Sequence, residues 1–151
     1  MSREVWGPKI WFILHRLSFF SDRTDIIGAW TRMLKDLVEI LPCALCKDHM
    51  RKYCMEHPIH ASLGSKGIDI KKMIILWVYR FHNYVNHDKG VSKFDKSQLQ
   101  LFYGYGSRPE LIADINRTVN ELEKIWVHVP VRHWKESLHH LLNLIGSGPL
   151  G

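Results

Sequence analysis

The chain has 151 residues, a formal net charge of +6 and 46% hydrophobic residues, which is one domain or one domain with a small appendage. That apolar content excludes wholesale disorder. Three cysteines exclude a disulfide-stapled secreted scaffold, and basic residues scattered among acids, with no stripe of interleaved aromatics, argue against nucleic-acid binding.

Pro8 to Phe20 reads as a first helix, started by Gly7 and Pro8 and striped by Ile10, Trp11, Ile13, Leu14 and Leu17. After a turn at residues 21–24, Asp25 to Leu41 is a second helix, with Ile26, Trp30, Met33, Leu34, Leu37 and Leu41 on one face. Pro42 breaks it and opens a third, which Pro58 ends after His57. A two-glycine loop at 61–67 leads to a fourth helix, from about Asp69 to Asn86, on which Ile70, Met73, Ile74, Trp77, Val78, Phe81 and Val85 keep the helical period. A polar loop (87–93) and an aromatic-rich segment from Phe94 to Tyr105 follow.

Pro109 to Trp126 is then striped by Leu111, Ile112, Ile115, Val119, Leu122 and Trp126, and Arg132 to Ile145 by Trp134, Leu138, Leu141, Leu142 and Ile145. Residues 146–151 read as a linker tail. No run of alternating β-branched residues occurs before residue 100, which favours an all-α, four-helix bundle over a thioredoxin fold. The expected division is 1–106 as the core domain and 107–145 as a helical C-terminal extension, a separate unit needing a surface to bury its stripes against.

The basic excess lies in the first hundred residues, 16 Lys and Arg against 10 Asp and Glu, and the remainder has five of each. An anionic cofactor or a solvated face accounts for it. The N-terminus carries no signal-peptide pattern, and the longest strictly apolar run, residues 73–79, is too short to span a bilayer. The expected location is cytoplasmic, where a Cys-x-x-Cys pair is catalytic or metal-binding rather than a staple.

That pair is Cys43 and Cys46. Placed at a helix N-terminus, it gains thiolate stabilisation from free N–H groups and the helix dipole, which suits thiol–disulfide exchange. The competing reading is zinc: Cys43, Cys46, Cys54 and His57 form a possible four-ligand set in a non-enzymatic interaction module. The cysteines alone leave both open. A third possibility is an all-helical adaptor that binds a partner through its C-terminal helices.

Trp6, Trp11 and His15 form one aromatic and histidine cluster, Trp77, Phe81, His82, Asn83 and Asn86 a second, and Phe102, Tyr103 and Tyr105 a third. Core packing accounts for Trp77 and Phe81. Polar His82, Asn83 and Asn86 on an apolar helix need partners, which a flat heteroaromatic ligand rich in acceptors would supply.

In order, Trp6-Gly7-Pro8-x-x-Trp11-x-x-Leu14-His15, Pro42-Cys43-x-x-Cys46 and Trp77-x-x-x-Phe81-His82-Asn83-x-Val85-Asn86 resemble the Erv/ALR family of FAD-dependent sulfhydryl oxidases. The resemblance covers about residues 3–105 and is nearest to the small oxidases of large cytoplasmic DNA viruses. It implies a helical bundle with FAD at its mouth and a homodimer. It also implies electron flow from a protein dithiol through Cys43 and Cys46 to FAD and oxygen, giving hydrogen peroxide. Gly7, Trp11 and His15 would line the flavin. Trp77, His82, Asn83, Val85 and Asn86 would hold ring, ribose and adenine, Lys89 and Lys93 would lie near the phosphates, and Tyr103 would close over the adenine.

The chain departs from the family in two respects. Cys54 lacks its usual partner, whose position aligns with Tyr79, and the tail carries no shuttle Cys-x-x-Cys. With three cysteines no internal relay of the family's kind can be built, so the expected direct donor to Cys43 is a separate dithiol protein, a thioredoxin-like redox protein; the competing reading is Cys54 of a second subunit as relay in a dimer.

Overall fold

The structure, a computed structural model, describes residues 2–93 and 95–148; Met1, Phe94 and tail residues 149–151 lie outside the described residues. Among the described residues seven α-helices follow in order: α1 (Arg3–Ser18), α2 (Ile26–Ile40), α3 (Ala44–Glu56), α4 (Gly67–Asp88), α5 (Leu99–Tyr103), α6 (Arg108–Ile125) and α7 (Arg132–Gly146). Short 3-10 turns at Ile59–Ser62 and Lys96–Gln98 precede α4 and α5. Among the described residues there is no strand, and no helix is long and apolar enough to cross a membrane. The fold is an all-α helical bundle.

Three of the helix starts have identifiable caps. The Ser2 side chain accepts from the Glu4 N–H, so α1 begins five residues before Pro8 and carries the proline inside it. The expected start at Gly7 and Pro8 is therefore corrected. Pro42 does not open α3 either. The N-cap is Cys43, with extended backbone, whose Sγ accepts from the Cys46 N–H at 3.2 Å. Ser107 caps α6 through the Glu110 N–H.

The apolar stripes converge on one core. Ile10, Ile13, Leu14 and Leu17 of α1, Trp30, Met33 and Leu37 of α2, Ile74, Val78 and Phe81 of α4, and Leu111, Ile115 and Leu122 of α6 are all buried in it. Trp134, Leu138 and Leu141 of α7 join the same cluster. Helix α1 packs against α4 and α6, and α2 packs against α3 and α7. The extension's stripes thus find their surface on α1 and α2. Ion pairs add to this contact: Lys9 Nζ meets Glu121 Oε2 at 2.6 Å, and Arg108 Nη2 meets Asp22 Oδ2 at 3.0 Å. Trp126 at the end of α6 packs edge-on against Trp6 of α1, with ring centroids 5.6 Å apart.

Candidate active site: a disulfide beside an aromatic cleft

Cys43 and Cys46 are joined in a disulfide, with Cα atoms 5.2 Å apart, at the start of α3. Cys43 is half-buried and Cys46 is 7% exposed, so the first sulfur is the outer one. Cys46 faces a narrow cleft walled by Gly7 and Trp11 of α1, Met50 of α3, Val85 of α4, and Lys89 just past the end of α4. Arg3 Nη1 donates to Cys46 Sγ at 3.5 Å. Burial, and then the nearby Arg3, lower the Lys89 ammonium pKa from its ordinary value. Two cations therefore border the inner sulfur.

Beyond Trp11 lies a connected set of rings. His82 of α4 stacks on Trp11 at 4.2 Å between centroids and 12° between planes. His15 Nε2 and His82 Nδ1 are 2.8 Å apart and share one hydrogen. Tyr103 of α5 stacks on the other histidine, His15, at 4.6 Å and 14°. Burial, and then His82, push His15 down to about 3; burial, and then Lys89, push His82 down to about 4. Both imidazoles are therefore neutral at physiological pH, as a buried pair sharing one proton must be.

Helical geometry explains this convergence. Trp11 and His15 are one turn apart on α1, and His82 and Val85 lie three apart on α4, so each helix presents a single face to the site. Asn86, 7% exposed, accepts from the Lys89 and Val91 N–H groups through its carbonyl and so shapes the end of α4 below the cleft. Asn83 is half-buried beside His82.

The structure thus brings Gly7, Trp11, His15, His82, Val85, Lys89 and Tyr103 to Cys46 or to the adjoining rings. Trp77 lies one ring further away. It packs against Tyr53 and Phe81 and donates its indole N–H to the His57 carbonyl at 2.6 Å. Lys93 is exposed in the loop after α4. Sequence reasoning missed Arg3 and Met50. Each had a readable signal: Arg3 is one turn before Gly7, and Met50 one turn after Cys46.

A larger groove, about 450 Å³, opens between α2, α3 and the 59–62 turn and is lined in part by Leu34, Val38, Cys54, Ile59 and Trp77. It holds no reacting pair. Cys54 is a free thiol, and burial raises its pKa to about 12. Among the described residues, no three His, Cys, Asp or Glu groups are placed to hold a metal. Zinc would require Cys43 and Cys46 as separate thiolates, and here they are bonded to each other.

The residue types suit a flavin dinucleotide: Trp11, His82, His15 and Tyr103 gather flat rings beside the cleft, stacked on one another here, and Arg3 and Lys89 offer positive charge for a pyrophosphate. At Gly7, a Cβ would meet nothing closer than Arg3 Cγ at 4.0 Å, so the missing side chain leaves space in the cleft wall beside Cys46.

No curated protein and no solved structure matches the chain. Residues 8–103, from Pro8 on α1 to the end of α5, match the Erv1/Alr family along nearly the whole span that carries the disulfide and the ring cluster, and the chain belongs to that family of thiol oxidases.

Proposed function

We propose that the protein is an FAD-dependent thiol oxidase that makes disulfides in protein dithiols and delivers the electrons to oxygen as hydrogen peroxide. One observation carries the reading: Cys46, the inner half of a Cys43–Cys46 disulfide, faces a cleft walled by Gly7 and Trp11 with Arg3 at its sulfur. A substrate thiolate attacks Cys43 Sγ, the S–S bond breaks, and Cys46 leaves as a thiolate beside the Arg3 guanidinium. A second substrate thiolate attacks the substrate sulfur of the mixed disulfide and frees Cys43. The substrate is then oxidised by two electrons and the Cys43–Cys46 pair reduced by two. FAD, when bound, supplies the acceptor for that electron pair and its onward route to oxygen. Gly7, Trp11, His15, His82, Asn83, Val85 and Asn86 would hold it, with Lys89 and Lys93 near the phosphates, Tyr103 over one end and Trp77 behind Phe81.

Residues 1–106 house this site and 107–145 form the extension that supports it. The resemblance to oxidases of large cytoplasmic DNA viruses carries the rest of the reading: a homodimer, in the host cytoplasm or the virion, fed by a thioredoxin-like dithiol protein. The test is direct. Purified protein is expected to be yellow and to consume oxygen with a dithiol. Cys43→Ser and Cys46→Ser are each expected to abolish turnover while FAD stays bound. Colourless protein carrying stoichiometric zinc would establish the zinc-module reading instead.

A further inference from the structure

Arg16, in the last turn of α1, is 0% exposed. Its Nη1 donates to the Tyr103 carbonyl at 3.1 Å and to the Tyr105 carbonyl, and its Nη2 meets Asp114 Oδ2 of α6 at 3.1 Å. The Tyr105 ring lies over the guanidinium, 3.8 Å from its carbon, and the Tyr105 hydroxyl donates to Asp114 Oδ2 at 3.2 Å. The segment 103–106 is therefore wrapped around one cation. Its two glycines make the wrap possible. A Cβ on Gly104 would meet Gln100 Nε2 at 2.5 Å and Phe19 Cδ1 at 2.8 Å, and Gly106 has φ +80°. Asp114 lies in α6, outside the residues that match the family.

We infer that the Asp114–Arg16 pair is a positioning device by which the C-terminal extension holds Tyr103 stacked on His15 at the edge of the flavin site. This rests on the flavin reading above. Tyr103 ends the five-residue helix α5, which is too short to hold its own end, and its ring also meets Phe12 of α1 edge-on with centroids 6.3 Å apart. Arg16 fixes that end through two carbonyls at once, and Asp114 fixes the orientation of Arg16. Without the carboxylate, the guanidinium loses its charged partner, the carbonyls lose a fixed donor, and the backbone hold that sets the Tyr103 ring on His15 is loosened.

The test uses the full-length protein, first freed of FAD and then titrated with it. Wild type is expected to show His15 ring protons shifted upfield by the Tyr103 ring, measured by NMR without FAD, and to regain FAD on titration. Asp114→Asn is expected to lose the upfield shift and to bind FAD about tenfold more weakly, the scale of one lost aromatic contact. Tyr105→Leu, at a 43% exposed position, perturbs the same wrap without opening the core. Leu142→Ala in α7 is the control for general destabilisation and should leave the His15 resonances unmoved. Asp114→Asn and Tyr105→Leu with wild-type His15 resonances and FAD affinity would overturn the inference. So would a loss of affinity equal to that of Leu142→Ala. Wild type that takes up no FAD at all would defeat the flavin reading instead, before any variant is compared.

Discussion

His15 Nε2 and His82 Nδ1 lie 2.8 Å apart, between Tyr103 on one side and Trp11 on the other. Only one hydrogen fits between the two nitrogens, and burial disfavours a second charge. The sign of the resulting pH dependence is fixed. The folded values, about 3 and about 4, lie below the unfolded value of 6.5, so below that value the unfolded chain binds more protons. Their contribution to stability is complete above pH 6.5 and is lost as pH falls from there toward 4 for His82 and toward 3 for His15. Each histidine contributes a slope of up to ~1.4 kcal/mol per pH unit in that window. Urea unfolding of the FAD-free protein at pH 7.5, 6.0 and 5.0 is expected to show a falling midpoint, and His15→Phe should flatten the fall. A midpoint independent of pH would contradict neutral burial of the pair.

Arg3 donates to the sulfur that leaves when Cys43 is attacked. A cation in contact with a thiolate lowers the thiol pKa, because it favours the charged form. Arg3→Gln is expected to move alkylation of Cys46 in the reduced protein to higher pH. Attack on the disulfide should slow by up to about tenfold, and Arg3→Lys should retain most of the effect. The rate of Cys46 alkylation against pH, read by mass spectrometry, measures this. A titration curve unmoved by Arg3→Gln would show Lys89 alone to supply the charge.

Cys54 presents the opposite chemistry. Burial holds its thiol near 12, and no cation is among the causes of its shift. It packs against the core as a small apolar group. Cys54→Ser is expected to retain most oxidase activity, and Cys54 in the folded wild type should resist alkylation at pH 8 until denaturant is added. Loss of turnover in a folded Cys54→Ser protein would make Cys54 a relay and displace direct donation to Cys43.

Periodicity made the long helices legible. The stripes of α6 and α7 define both elements to within a residue at each end, because their buried positions recur every three or four residues and Ser107 caps the first of them. The start of α1 was less legible: Gly7-Pro8 is a strong local signal, yet burial of Trp6 and the Ser2 cap carry the helix back past it. Gly7, Trp11, Cys46 and Val85 of the cleft lie in the motifs, whereas Arg3 and Met50 fall outside them. Arg16 could not be read this way. A basic residue in the last turn of a helix ordinarily faces solvent, and its burial depends on a carboxylate 98 residues later. Periodicity also showed that α6 and α7 needed a surface without showing that α1 and α2 supply it.

Ending the chain at Gly106 is the strongest perturbation of that arrangement. The lost ion pair is not the main cost, since water would reach Arg16 once α6 is gone and would replace Asp114. The apolar surface is. Removing α6 and α7 uncovers the faces of α1 and α2 that they cover, and takes Trp126 away from Trp6 at the cleft wall. Each 100 Å² of apolar surface so uncovered costs about 2.5 kcal/mol at ~25 cal/mol per Å², against the roughly 5–15 kcal/mol by which a whole domain is stable. Solvated, Arg16 would also release the 103–106 wrap and with it Tyr103. The shortened chain is therefore expected to self-associate through the exposed faces or to unfold non-cooperatively, and to bind FAD at least ~10-fold more weakly than the full chain, the scale of a lost ring contact. Size-exclusion chromatography with light scattering, thermal unfolding and FAD titration read the three effects. A shortened chain that stays monomeric, melts within a few degrees of the full-length protein and binds FAD equally well would show that the extension is dispensable to the core and that the α1 and α2 faces carry their own stability.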